Sequence, residues 1–195
     1  MGVDLVLLGP PGSGKGTQAA RLSAAQGIPH IATGDIFRAL VEAGAPLGQR
    51  VKAFLDRGEL VPDDLVIDVI RHRLGQADAA HGFVLDGFPR TVPQAEALDR
   101  LLVELGRPLD AVLYLQADRQ SLIERLSQRA EVEGRSDDRP DVIPHRIDVF
   151  LEQTAPLIDY YRQQSKLRLV DGTRPPDAVA VSIREVIDSL PRDAV

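Results

Sequence analysis

The run Gly9-Pro10-Pro11-Gly12-Ser13-Gly14-Lys15-Gly16-Thr17 carries the clearest chemistry in the sequence. It follows a short apolar stretch, Val3–Leu8, and opens a segment with helical spacing. Glycines let consecutive backbone N–H groups converge on one anion, and a helix N-terminus adds partial positive charge. Lys15 stands at the offset from which an ammonium reaches β- and γ-phosphates. The spacing G-x-x-x-x-G-K-[ST] is met through Lys15, but the hydroxyl comes one position late, with Gly16 ahead of Thr17. A glycine-rich turn that binds nothing is the alternative. The strand before, the helix after and the lysine at its offset point instead to a nucleoside triphosphate. A second candidate is Asp86, at the carboxyl end of an apolar run. A carboxylate there can hold the waters of Mg²⁺, or simply cap the next helix.

These groups need a scaffold. Candidate strands are Val3–Leu8, Ile28–Ile31, Phe83–Asp86, Ala111–Leu115 and Leu167–Asp171. The segments between them are too long for hairpins and mostly carry helical periodicity, which predicts parallel crossover units in an α/β fold. The strands lack polar alternation, as expected of a sheet covered on both faces. Pro62-Asp63-Asp64 opens one helix, Thr91 with Gln94 forms a capping-box signature for another that Gly106 stops, and Asp118 caps a third. A helical stretch over Asp141–Gln164 contains Pro156, which should kink or split it. Two excursions break the rhythm. Thr33–Val61 holds two short helical patterns divided by Gly44-Ala45-Pro46, and Arg129–Arg139 is polar with little to bury. Long excursions from a compact sheet often serve as lids or binding lobes.

Composition narrows the classes. The 195 residues include no cysteine, so disulfides and thiolate zinc sites are excluded. A net charge of −6 counts against a nucleic-acid partner. No apolar run approaches the roughly 20 residues of a membrane span, and the N-terminal stretch lacks a basic leader, so a cytoplasmic protein is expected. His30, His72, His81 and His145 are scattered without metal-ligand spacing and read as solvated or structural.

The displaced hydroxyl and the run Gly12-Ser13-Gly14-Lys15-Gly16-Thr17-Gln18 resemble the adenylate kinase family. So do Thr33-Gly34-Asp35-Ile36-Phe37-Arg38, Gly58-Glu59-Leu60-Val61-Pro62-Asp63 and Asp86-Gly87-Phe88-Pro89-Arg90. The likeness continues through Arg125, Arg129, Gly134-Arg135, Asp137-Asp138 and Arg146 to Asp171-Gly172-Thr173, and so covers essentially the whole chain. It implies a three-layer P-loop fold with a five-stranded parallel sheet. The core would comprise 1–31, 62–128 and 140–195, with a monophosphate-binding lobe at 32–61 and a lid at 129–139. The lid is similar to the short form, without the metal-binding cysteines of larger lids, so no zinc is expected.

The reaction implied is reversible transfer between ATP·Mg²⁺ and AMP, giving ADP, by a monomer. The resemblance assigns ATP contacts to Gly12 through Thr17, Arg129 and Gly172. It assigns AMP contacts to Thr33, Arg38, Glu59, Leu60, Val61, Gly87, Phe88, Pro89, Arg90, Gln94, Arg135 and Arg146. Lys15, Arg90, Arg125, Arg129, Arg135 and Arg146 would surround the transferred group, with Asp86, and the Thr17 hydroxyl as a second candidate, toward Mg²⁺. Such a cationic set suits phosphoryl transfer, which asks for positioning and charge neutralisation more than for a base. The alternative for each arginine taken alone is a solvated ion-pair partner, for Thr33 an N-cap and for Gln94 half of the capping box, and the other motifs favour the functional reading. A pyrimidine monophosphate kinase shares the phosphate chemistry but resembles the chain less at Thr33. A nucleotide switch lacks here the N-K-x-D motif that reads guanine. Ala32 stands where the family more often has serine, and Arg139 has no counterpart and reads as surface charge.

Overall fold

The computed structural model describes residues 2–190. Five strands, β1 (Asp4–Leu8), β2 (His30–Ala32), β3 (Phe83–Asp86), β4 (Ala111–Gln116) and β5 (Leu167–Asp171), form one parallel sheet in the order β2-β3-β1-β4-β5. In register, Leu7 lies beside Asp86 and Leu8 beside Tyr114. The carboxyl ends therefore open on one edge, and chain order reverses across central β1, where a crevice is expected.

Helices cover both faces because alternate residues of a doubly buried strand are all apolar. Leu5 and Leu7 pack with Ala19 and Leu22 of α1 (Lys15–Gln26) and Val179, Ile183 and Ile187 of α9 (Pro176–Asp188). Val6 and Leu8 pack with Val66 and Ile70 of α4 (Asp63–Leu74), Leu98 and Leu102 of α5 (Val92–Glu104), and Leu157 and Tyr161 of α8 (Pro156–Gln163). A smaller cluster joins Leu122 and Leu126 of α6 (Arg119–Glu133) to Ile143 and Ile147 of α7 (Ile143–Val149). Between β2 and α4 stand α2 (Thr33–Glu42) and α3 (Pro46–Arg57), the two helical patterns separated by Gly44.

Local signals behave as their chemistry requires. Asp118 accepts the Ser121 N–H at the start of α6 (2.9 Å). Thr91 Oγ1 accepts the Gln94 N–H at the start of α5 (3.3 Å), and Gly106, at φ 68°, follows its end. The return arm of that box differs from expectation. Gln94 Oε1 passes over Thr91 to accept the Arg90 N–H (2.8 Å), and its Nε2 donates to Asp63 Oδ1 (2.7 Å).

The stretch predicted as one helix with a break is three pieces: α7, a π turn over Phe150–Thr154, and α8. Pro156 has no N–H, and the wider turn is closed one residue earlier, where Ala155 N–H donates to Phe150 O (2.8 Å). A second correction concerns 129–139. Its first five residues continue α6, and Asp137 and Asp138 in the following turn are buried, Asp138 completely.

At the amino end of the sheet, Arg107 clasps buried Asp4 with two hydrogen bonds and donates to Ala79 O (2.6 Å). Asp110 Oδ2 accepts the Asp4 N–H (2.7 Å). Burial raises the Asp4 carboxyl above its ordinary value despite the opposing Arg107 cation.

Candidate active site

A cavity of about 820 Å³ lies over the carboxyl ends of β1, β2 and β3. The glycine-rich loop forms its floor. Gly14 adopts φ 94° with open space where a Cβ would stand, so the backbone turns without a side chain in the way of an approaching anion. Lys15 Nζ donates to Gly9 O (2.7 Å) and Pro10 O (2.9 Å). Burial, with Arg90, Arg146 and Arg129 reinforcing it and Asp86 opposing, brings its ammonium down to about 7.

Asp86 closes β3 opposite the loop. A Cβ built on Gly16 would lie 3.6 Å from Asp86 Oδ2, so the carboxylate faces the floor. Burial works to raise its pKa, but the hydrogen bond from His30 together with the Lys15 and Arg90 charges outweighs that and holds the carboxyl below its ordinary value. His30, read from sequence as solvated or structural, lines the cavity with Nε2 3.3 Å from Asp86 Oδ2.

On a chain of net charge −6, six arginines converge on this one cavity: Arg38, Arg90, Arg125, Arg129, Arg135 and Arg146. Asp138 holds Arg129 in a fork, Oδ2 to Nε at 2.6 Å and Oδ1 to NH2 at 2.8 Å, and also bonds Arg146 NH1. Arg146 NH2 lies 3.0 Å from Asp137 Oδ2, which also stands 3.8 Å from Arg38 NH1. Arg90 Nε donates to Gly87 O (2.9 Å), Arg125 NH1 to Gly172 O (2.9 Å), and Arg135 Nε to Glu133 Oε2 (2.5 Å). Burial and neighbouring Arg146 lower Arg90, and burial lowers Arg146, yet guanidinium groups remain cations at neutral pH. The fork with Asp138 raises Arg129 against the cost of its burial. The cavity therefore gathers crowded, partly desolvated cations, an arrangement that an anion relieves.

At the opposite wall, Thr33 Oγ1 donates to Gly87 O (3.0 Å), and Gln94, Gly87 and Pro89 stand beside it, with Phe88–Pro89 a cis peptide. Glu59, Leu60 and Val61 line the same side, and Glu59 is bridged by Arg57. Of the expected contact residues, Gly12, Gly14, Lys15, Gly16 and Thr17 are in the wall with those already named. Ser13, Phe88 and Gly172 are not. Ser13 N–H is used inside the loop on Pro10 O (3.2 Å), Phe88 is packed into the core, and Gly172 meets the site through its carbonyl on Arg125. Arg139 lies outside, exposed and paired with Asp141 (3.2 Å). Beyond His30, the sequence reading missed Phe150 and Thr154 in the wall, and it named Asp137 in the wall and Asp138 behind it only as part of the likeness, with no role. Only the paired acids at 137 and 138 left a local signal.

Among the described residues no three His, Cys, Asp or Glu side chains form a metal cage. One buried carboxylate, held ionised by its cationic neighbours, suits instead a hard cation that arrives carrying phosphate oxygens and waters. No helix among the described residues is long and apolar enough to cross a membrane.

The sequence profile of the family described as adenylate kinase matches residues 7–166. An adenylate kinase of Cyanothece sp. is 52% identical over 186 residues, covering 95% of this chain and 95% of that protein. Those of Xanthomonas campestris pv. campestris and Xanthomonas oryzae pv. oryzae are each 52% identical over 183 residues, covering 94% of this chain and 98% of theirs. With a parallel 2-3-1-4-5 sheet, a glycine-rich loop after its first strand and relatives aligned over nearly its full length, the chain belongs to the adenylate kinase family.

Proposed function

We propose that the chain transfers the γ-phosphoryl group of ATP·Mg²⁺ to AMP, reversibly, forming two ADP, as a cytoplasmic monomer. One observation carries this reading: a single cavity holds a phosphate cradle at one end, a hydrogen-bonding wall at the other, and six arginines between. Gly12 through Thr17 and Lys15 bind the triphosphate. Arg38 and Arg90 hold the α-phosphate of the acceptor. Arg129, Arg135, Arg146 and Arg125 neutralise the group in flight, where charge spreads over its equatorial oxygens. Asp86, with the Thr17 hydroxyl, would hold Mg²⁺ through water; the ion supplies further neutralisation of the β- and γ-oxygens.

Thr33 gives its hydroxyl proton to Gly87 O, so only lone pairs remain for a ligand. That favours the amino group of adenine over the carbonyl of uracil. The excursions at 32–61 and 129–139 act as lobe and lid that exclude water, so that AMP and not water accepts the phosphoryl group. Hydrogen bonding of Ser136 Oγ to Asp56 Oδ1 (2.8 Å) supports their closing together.

The test is ADP formation from ATP and Mg²⁺ with AMP, CMP, UMP or GMP, against a control without acceptor. Strong preference for AMP with little background hydrolysis is expected. Preference for UMP or CMP would overturn the base reading, and hydrolysis indifferent to any monophosphate would overturn the transfer reaction.

A further inference from the structure

Gln94 is almost enclosed, at 1% exposure, yet forms part of the cavity wall. Its carboxamide has two N–H donors and an oxygen with two lone pairs. One N–H is donated to Asp63 Oδ1 (2.7 Å), and one lone pair accepts the Arg90 N–H (2.8 Å). Both partners work in one direction only, because an ionised carboxylate accepts and a backbone N–H donates. Turning the amide over would set oxygen against carboxylate oxygen and N–H against N–H. The two contacts therefore fix which end of the amide is which.

Asp63 is itself restrained. Its Oδ2 accepts the Thr91 hydroxyl (2.9 Å), and Thr91 Oγ1 accepts the Gln94 N–H (3.3 Å). As the first residue of α4, it sits where the helix terminus favours negative charge. It is not part of the cavity wall, so any effect on a ligand passes through Gln94.

We infer that Asp63 is a positioning residue that sets purine selectivity, holding the Gln94 amide in the orientation that reads a 6-aminopurine and opposes a 6-oxopurine. The inference rests on the proposed role of Gln94 at the acceptor base. One N–H and one lone pair of Gln94 are left for a ligand, in fixed order. They match the N1 acceptor and N6 amino donor of adenine. A 6-oxopurine presents N1–H and O6, the same pair reversed, and needs the overturned amide that Asp63 resists. Neither Asp63 nor its contacts would touch the phosphates, so the effect belongs to base selection and not to phosphoryl transfer.

The experiment compares kcat/KM for AMP and IMP, with ATP and Mg²⁺, in the wild type, Asp63→Asn, Gln94→Ala and the double variant. A ratio of two substrates on one preparation is insensitive to the fraction folded. Asparagine can donate to an overturned Gln94 oxygen, so the AMP-to-IMP ratio should fall about tenfold, carried by KM with kcat for AMP little changed. Asp63→Glu, which keeps the carboxylate, should recover part of the ratio, and in the Gln94→Ala background Asp63→Asn should change nothing further. A ratio within about twofold of wild type, or an equal fall without Gln94, overturns the inference. If Asp63→Asn fails to accumulate, Asp63→Ser is read by the same ratio and the same criteria. A wild type that uses neither monophosphate would sink the proposed function itself. An AMP-selective wild type whose selectivity survives Asp63→Asn overturns only the positioning role.

Discussion

Lys15 allows a proton count to test the phosphate site. The amine sits under Gly9 O and Pro10 O, and burial beside three arginines lowers it from 10.5 to about 7. That difference corresponds to about 5 kcal/mol disfavouring the ammonium, a ceiling because the side chain is still partly open to the cavity. A triphosphate brings negative charge to Nζ and restores the cation. Binding between the free and bound values must therefore take up a proton. At pH 8 the free amine is about nine-tenths neutral, so a non-hydrolysable ATP analogue should bind with uptake of ~0.9 proton, against ~0.1 at pH 6. Affinity should weaken about fifty-fold between pH 7 and pH 9 by the same linkage. The fold responds with the matching sign. Its unfolded state binds the proton more tightly, so stability rises with pH between about 7 and 10.5. Titration calorimetry at pH 6 and pH 8, in buffers of different ionisation enthalpy, reads the uptake directly. Lys15→Met should abolish it. Uptake below ~0.2 proton at pH 8, or uptake undiminished in Lys15→Met, would refute the reasoning.

Three other perturbations follow from contacts described above. Asp138→Asn leaves Arg129 and Arg146 without the shared carboxylate and should lower kcat about a hundredfold and stability by about 3 kcal/mol, read from steady-state rates and urea unfolding. Gly87→Ala, at φ 78°, would put a Cβ 2.9 Å from Thr33 Oγ1 and 3.1 Å from Arg90 NH2; KM for AMP should rise about tenfold with a stability loss of about 1–2 kcal/mol. Arg107→Met strands Asp4 in the core and should cost about 3–5 kcal/mol at pH 7 by denaturant unfolding. Because the Asp4 carboxyl is already raised in the fold, protonation relieves it, so that deficit should shrink as pH falls to 4.

Much of this architecture is local in origin and was legible for that reason. The glycine loop, the caps at Thr91 and Asp118, and the break at Pro156 each depend on residues a few positions apart. The inner strands were legible because burial on both faces makes them mostly apolar, whereas the edge strand β5 is half exposed and carries Arg168. What escaped depends on strand order. His30 meets Asp86 only because β2 pairs with β3, and nothing near His30 in the sequence marks that neighbour. The segment that holds Asp137 and Asp138 read as polar with little to bury because a local reading cannot know that arginines from α6 and α7 will arrive to neutralise them. The partner of the Gln94 side chain escaped for a similar reason: Asp63 lies 31 residues away.

The π turn at Phe150–Thr154 has a consequence for how this stretch tolerates change in length. It acts as a phase shifter between two helices that answer to different neighbours: Ile143 and Ile147 face α6, whereas Leu157 and Tyr161 face the sheet. A continuous α-helix advances about 100° per residue, so removing one residue from the turn would regularise the hydrogen bonds and rotate Leu157 and Tyr161 away from the core. Inserting one would over-rotate them by the same angle. The five residues thus set the angular offset between two packing surfaces, and substitutions there should be accepted far more readily than any gain or loss of a single position.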